Sequence, residues 1–544
     1  MTDRRLAALV LLGVAWPAPS AAAAVELQEA PPAASFQFTH FNGMTGALLF
    51  PEMTGQGGAL FDFDGDGDLD AYLVQGGGLG AGEPESGSAS RDGDVLMRND
   101  SVSGGVTWVD LSERSSLRAT GYGMAVAVGD IDGDGWSDLV IGNYGPNQLW
   151  RNRGDGTFED ISSGLAESEP RWTTSAAFVD FDADGLEDLY LVNYVEYAVA
   201  SPPTCYATSS RRDYCGPSGF EPQGDRLLRN LGGGVFEDVS QRTGVAALAG
   251  AGLGAIVLDA DLDGALDLYV ANDGQANFLW NWRTGKWLDD ALLAGVAVNR
   301  RGEPEASMGL AAGDFDRDGD EDLFVAHLAG ESNTLYVNSG QGLFDDRTVE
   351  HGLAAPSLDK TSFGAAWVDL DHDGWLDLAV ANGAVRIQEQ QAADGTSYPL
   401  SQANQLFGNQ GGLFVELDNT AFSVATEVSR GLVAGDLDND GDKDFLVTNS
   451  AGPARLFISG GATRDNWLGL SLTRPAHQLV RARYIERSFV ARASSSGSYA
   501  SAADPRVILP GSERPQEVTI SSPGRRLRFE NPPIGRYLRI DLNR

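Results

Sequence analysis

The nonapeptide D-x-D-x-D-G-x-x-D occurs seven times in this chain, starting at residues 62, 130, 180, 259, 314, 369 and 436. The copies read "DFDGDGDLD", "DIDGDGWSD", "DFDADGLED", "DADLDGALD", "DFDRDGDED", "DLDHDGWLD" and "DLDNDGDKD", and each keeps all four Asp and the Gly. A signature recurring every 50 to 79 residues confines the chain to a repeat architecture, in which each copy is one supersecondary unit.

The flanks define that unit. A strand of small and apolar residues precedes the acidic loop, as in "GMAVAVG" and "FGAAWV". A β-rich run ending in Asn follows it, as in "DLVIGN" and "DLYLVN". A third strand comes next ("QLWRN", "RLLRN", "TLYVN", "QLFGN"), then a Gly turn and a fourth ("GDGTFEDIS", "GGGVFEDVS"). Four strands and three turns make one propeller blade. The expected fold is therefore all-β: a seven-bladed β-propeller over residues 25–460, then a small β-domain over 461–544. Closing the ring needs a donor strand, and "ASFQFTHFNG" (34–43), which resembles the fourth strands, is expected to complete the seventh blade.

Alternating Asp is poor strand material and crowds like charges, so the loops need a reason to exist. Ca²⁺ supplies one, since it takes six to eight oxygen ligands in relaxed geometry. Asp at positions 1, 3, 5 and 9 with a carbonyl near position 7 can wrap one ion, and Gly at position 6 permits the sharp turn. An EF-hand would need Glu at position 12, but Leu73, Ile141, Leu191, Val270, Val325, Val380 and Val447 stand there. Each loop thus closes on its ninth residue and enters a strand. Mg²⁺ suits the pattern less, because it prefers small octahedral sites and keeps its waters. An Asp-Gly turn without metal would explain one copy, but not four Asp kept seven times.

The expected ligands for up to seven Ca²⁺ are Asp62, Asp64, Asp66 and Asp70 in the first loop and Asp130, Asp132, Asp134 and Asp138 in the second. They are Asp180, Asp182, Asp184 and Asp188 in the third, and Asp259, Asp261, Asp263 and Asp267 in the fourth. The fifth offers Asp314, Asp316, Asp318 and Asp322, and the sixth Asp369, Asp371, Asp373 and Asp377. Asp436, Asp438, Asp440 and Asp444 complete the set.

A formal charge of −38 argues against nucleic acid or anionic membranes as partners. Residues 1–24 read as an export signal: Arg4 and Arg5, an apolar stretch from Leu6 to Trp16, then "APSAAAA". Past it, the longest apolar run, "VAALAGAGLGAIVL" (245–258), is too short to span a bilayer. The expected location is periplasmic, secreted or at the cell surface. The only two cysteines, Cys205 and Cys215, are in that setting most simply a disulfide; a metal site is the alternative, though no His or third Cys lies near by.

The repeats resemble the FG-GAP/VCBS repeats of integrin α-subunit propellers. Along its mature length the chain is similar to the ASPIC/UnbV, or cartilage acidic protein, family. The likeness rests on "HFNGMTGALLFPEMTGQGGALFDFDGDGDLD" (40–70), "RDYCGPSGFEPQGDRLLRN" (212–230) and "ASMGLAAGDFDRDGDEDLFVAH" (306–327). It implies an exported, calcium-binding propeller used in extracellular interaction, with the four Asp of each loop as ligands and Cys205–Cys215 as a bridge. At the C-terminus "SSSGSYASAADPRVILPG" (494–511) fits the family, whereas "TRPAHQLVRARYIERSF" (473–489) lacks its Gly-Ala-Arg-Val stretch and "VTISSPGRR" (518–526) its Trp-Pro-Ser-Gly.

Residues 461–544 carry 14 Arg, no Lys and 7 acidic residues. Arg without Lys points to bidentate carboxylate or phosphate contacts; the readings are a solvated surface or docking against this protein's own propeller on one side, and an external acidic partner on the other. No nucleophile motif, phosphate loop or His cluster is present. His372, at a variable loop position, is expected to be exposed, and His327 to serve packing. The leading functional expectation is a non-enzymatic scaffold for a protein or glycan partner. The alternative is an exported enzyme acting on polysaccharide or another extracellular substrate in the central channel, which a converging cluster of Arg, His and Tyr would favour.

Overall fold

The structure is a computed structural model that describes residues 26–32, 34–80, 93–101, 105–167, 169–460, 467–473, 477–522 and 525–542. The expected leader, 1–24, lies outside these residues. The fold is all-β, with a few helices of at most five residues. Among the described residues no helix is long and apolar enough to cross a membrane.

Each nonapeptide joins the first strand of a four-stranded antiparallel unit to its second. In the first unit the strands are Gly58–Phe61, Asp70–Leu73, Val95–Asn99 and Trp108–Asp110. In the second they are Gly123–Gly129, Asp138–Gly145, Gln148–Asn152 and Phe158–Asp160. The second and third units fuse into one eight-stranded sheet, because Arg171 and Trp172 pair with Gly145 and Tyr144. The first strand of each unit lies against the first strand of the next, and Ser429–Gly435 of the last lies against Gly58–Phe61 of the first. The order of contacts is therefore cyclic.

The second strands are buried along their whole length, as in Asp188–Asn193, except for the last two residues of Asp138–Gly145, because both faces meet neighbouring units. Cores sit at the junctions: Phe61, Phe63 and Tyr72 of the first unit pack with Val126, Leu139 and Trp150 of the second. The inner strands need small residues. A Cβ on Gly309 would lie 1.8 Å from the Phe363 carbonyl oxygen of the next unit.

The last unit differs from expectation. Its fourth strand is Glu26–Glu29, antiparallel to Arg455–Gly460 with Glu26 opposite Gly460, and not residues 34–43. The Phe-x-Phe of 34–43 instead buries Phe36 and Phe38 in the seam between the last and first units, where Phe36 meets the Trp108 ring edge-on.

Beyond residue 466 the chain forms two further sheets. One is Val507–Leu509, Leu468–Thr473 and Arg536–Asp541; the other is Ser488–Ala493, Gln478–Arg483, Glu517–Ser522 and Arg525–Glu530. Leu468, Val480 and Ile520 of these sheets share one core with Phe315, Phe324 and Leu378 of the ring.

Candidate metal centres

The seven acidic loops share one backbone path. The first Asp accepts the N–H of the sixth-position Gly, as in Gly67 to Asp62 (3.0 Å), Gly185 to Asp180 (3.0 Å) and Gly441 to Asp436 (3.0 Å). The fifth-position Asp accepts from the seventh residue, as in Trp136 to Asp134 (2.9 Å). The sixth-position Gly has positive φ in every loop, from 87° to 104°. So does the fourth position, which is Gly65, Gly133, Ala183, Leu262, Arg317, His372 and Asn439. Five non-Gly residues thus hold a left-handed conformation that costs each of them roughly 1–2 kcal/mol.

The ninth-position Asp pins the loop. Its Oδ2 accepts the N–H of the second residue of the loop, and in six units its Oδ1 accepts the backbone N–H at the end of the third strand. In the second loop these are Ile131 (2.9 Å) and Asn152 (2.7 Å) on Asp138; in the sixth, Leu370 (3.0 Å) and Asn409 (2.8 Å) on Asp377. The fourth unit uses the side-chain amide of Asn281 on Asp267 instead (2.8 Å). Burial raises these carboxyls strongly: Asp70 and Asp322 to about 9, and Asp138, Asp188, Asp267 and Asp377 to about 8. Asp444 is also raised, and the first-position Asp62, Asp314 and Asp436 reach about 6, 7 and 6 for the same leading reason.

The loops bring the expected residues together. Ligand oxygens of Asp62, Asp64 and Asp66 lie within 4.8 Å of one another, as do those of Asp259, Asp261 and Asp263. In the second, third and fifth loops the ninth-position Asp joins instead: Asp130–Asp132–Asp138, Asp180–Asp182–Asp188 and Asp314–Asp316–Asp322. In the sixth, Asp369 feels the charges of Asp371, Asp373 and Asp377; in the seventh, Asp440 feels Asp436 and Asp438. The donor sets fit a hard divalent cation. A further observation points the same way. The Oδ1 atoms of Asp64, Asp182, Asp314, Asp369 and Asp438 are buried and receive no hydrogen bond from the protein. Buried carboxylate oxygens without donors are costly unless a cation meets them.

The third loop carries a cation of its own. Arg229 reaches Asp182 at 2.7 Å and Asp184 at 2.8 Å, taking one oxygen from each of two expected ligands.

The C-terminal sheets dock on the loop side of the ring through Arg. Arg492 pairs with Glu321 of the fifth loop, both side chains being buried. Arg506 donates to the Asp436 carbonyl (2.6 Å) and Tyr537 to Asp436 Oδ2 (2.8 Å). His372 is 3% exposed, not solvated as expected: its Nε2 meets Asp442 of the seventh loop and its Nδ1 accepts from Gly511 of the docked sheets. The Ser-rich run between the sheets threads the middle of the ring. Ala500 and Ala502 carbonyls accept from Val126 and Leu60 of the inner strands, Ser498 pairs with Leu310, and Tyr499 donates to Thr54 (2.9 Å).

An Arg–His–Tyr cluster does converge near that channel, formed by Arg430, His40, Tyr122, Tyr214, Tyr398 and Tyr499. It is sealed: Arg430 is 0% exposed, and its guanidinium donates to the carbonyls of Met53, Gly383, Ala384 and Ser429. Burial pushes His40 and His327 down to about 3, so both stay neutral. Cys205 and Cys215 form a disulfide with their Cα atoms 5.2 Å apart.

The FG-GAP-like repeat family matches residues 130–191, 259–325 and 314–380. Cartilage acidic protein 1 of Mus musculus is 25% identical over 388 residues, 66% of this chain and 54% of that protein. Its Homo sapiens counterpart is 25% identical over 403 residues, 69% and 55%. This chain thus spans about half the length of the curated relatives it matches. An Agrocybe aegerita lectin, described as recognising non-reducing terminal N-acetylglucosamine, aligns with 65% of this chain and 82% of its own at 15% identity and a TM-score of 0.37.

Proposed function

On the premise that this chain is an FG-GAP-repeat protein related to cartilage acidic protein 1, we propose that it is a calcium-loaded, seven-bladed β-propeller (25–460) with a docked C-terminal β-domain (461–544), serving outside the cytoplasm as a non-enzymatic interaction scaffold. The observation that carries the calcium reading is the set of buried, donor-less Oδ1 atoms on the first or third Asp of five separate loops. Asp at positions 1, 3, 5 and 9 would hold the ion, and the bound ion would neutralise carboxylates that burial otherwise forces to take protons. The residues themselves set the loop path through the Gly, Asx and ninth-Asp hydrogen bonds. A site held at 100 times its Kd would stabilise the fold by about 2.7 kcal/mol.

The channel supports the scaffold over the enzyme. Residues 496–502 fill its middle, and the Arg–His–Tyr cluster is engaged within the protein, Arg430 with backbone carbonyls and Tyr214 with the buried Glu52. The Cys205–Cys215 disulfide and the family relationship support an oxidising, extracytoplasmic location. The partner is a protein or a glycan of the envelope or extracellular space.

Affinity capture with residues 25–544 as bait, with calcium and with chelator, tests this reading. A stoichiometric partner retained only with calcium is the expected result. A folded, calcium-loaded bait that retains nothing and hydrolyses a polysaccharide would replace the scaffold by the enzyme.

A further inference from the structure

The Asn that ends the third strands has no assigned role, yet it joins one acidic loop to the next. Asn152 is an example. Its backbone N–H donates to Asp138 of its own loop, and its Nδ2 donates to the carbonyl of Phe63 in the preceding loop (2.7 Å). The Phe63 N–H in turn donates to Asp70, the ninth-position Asp of that loop (3.0 Å). The backbone of one residue, Phe63, and one side chain therefore connect two expected ligands in neighbouring sites.

The same bridge recurs at four other junctions. Asn99 reaches Leu437 (2.8 Å), Asn230 reaches Ile131 (2.8 Å), Asn338 reaches Ala260 (2.9 Å) and Asn409 reaches Phe315 (3.1 Å), each the second residue of the preceding loop. Two junctions depart from it. Between the third and fourth loops, Asn281 turns back onto its own Asp267, and Phe181 meets the rings of Trp282 and Trp287 instead. Between the sixth and seventh, Ser459 stands where the Asn would be, donating its backbone N–H to Asp444, and His372 meets Asp442.

The geometry points to two coupled blocks of metal centres: loops seven, one, two and three in one, and loops four, five and six in the other. This inference rests on the calcium reading above. The bridging Asn are positioning residues. Filling one loop fixes its ninth Asp and second residue, and the Asn carries that constraint to the neighbouring ninth Asp. Coupling between sites of this kind typically changes affinity by about 5- to 150-fold.

Loop four is the place to test it, because its two neighbours differ. Asp261→Asn with Asp263→Asn in the full chain disables that loop, and hydrogen exchange of 180–188 and 314–322 is followed during calcium titration. The calcium concentration that half-protects 314–322 is expected to rise about tenfold, while that for 180–188 stays put. Equal shifts at both neighbours, or none at either, would overturn the two-block arrangement while leaving calcium binding intact. If the unmodified protein gains no protection with calcium in any loop, the calcium reading itself fails. A second variant, Asn152→Ala, is expected to shield 62–70 from disabling loop two with Asp132→Asn and Asp134→Asn; persistence of the effect would overturn the Asn route.

Discussion

The Asn99 side-chain amide donates at 2.8 Å to the carbonyl of Leu437, 338 residues further along the chain. With Asn439 donating to Asp68 at 2.6 Å, it ties the last acidic loop to the first. The cyclic order of the units is thus fastened at the loop end by side chains as well as by the Glu26–Glu29 strand. Asn99→Ala leaves a buried carbonyl without its donor, which costs roughly 1–3 kcal/mol. Denaturant unfolding measures this; a change within the error of the same substitution at exposed Asn419 would contradict it.

The raised carboxyls give the metal-free protein an unusual pH response. Between the ordinary Asp value near 4 and the folded values of about 8 to 9, the folded state binds more protons than the unfolded state. Stability of the chelated protein is therefore fully present at acid pH and falls as pH rises through that window. With calcium the slope flattens, because the bound ion displaces those protons and leaves the folded and unfolded states with nearly equal proton counts in this window. Melting temperatures from pH 5 to 8.5, with and without chelator, test this; equal slopes in the two conditions would refute it.

Under the calcium reading Arg229 is a competitor of the ion in the third loop, since it already holds oxygens of Asp182 and Asp184. Arg229→Ala is expected to tighten calcium binding at 180–188 by several-fold, most clearly at low salt, where such charge effects are least screened. Hydrogen exchange of that peptide during a calcium titration reads the effect. Weaker binding after the substitution would mean that Arg229 organises the site rather than occupying it.

The Glu321–Arg492 pair holds the C-terminal sheets to the ring with side chains only 4% and 7% exposed. Removing one partner leaves a buried charge and costs about 3–5 kcal/mol. Arg492→Ala and Glu321→Ala should each open the 494–502 segment to proteolysis, while the double variant recovers part of the loss. Strict additivity of the two losses would show that the pair is not an interacting unit.

The acidic loops were legible because their pattern is local: the carboxylates, turn residue and following strand lie within twelve positions. The bridging Asn were visible as repeated letters, but their partners sit in the preceding unit, so no spacing within the repeat reveals them. The left-handed fourth position escaped because Gly, Ala, Leu, Arg, His and Asn all occupy it; the loop path, and not residue preference, goes with the conformation. Glu26–Glu29 carries no apolar alternation to mark it as the closing strand, while Phe36 and Phe38 carry one that serves a seam. Nothing in the run "SSSGSYASAAD" marks its passage along the inner strands, because the room for it comes from a residue far away in sequence: a Cβ on Gly57 would lie 1.7 Å from the Ala500 carbonyl oxygen.

Native mass spectrometry counts the bound metal. Residues 25–544 are expected to carry up to seven calcium ions, stripped by chelator and restored by calcium but not by magnesium at equal concentration. A folded protein that carries no calcium, and whose melting temperature is the same with and without chelator, would contradict the calcium reading.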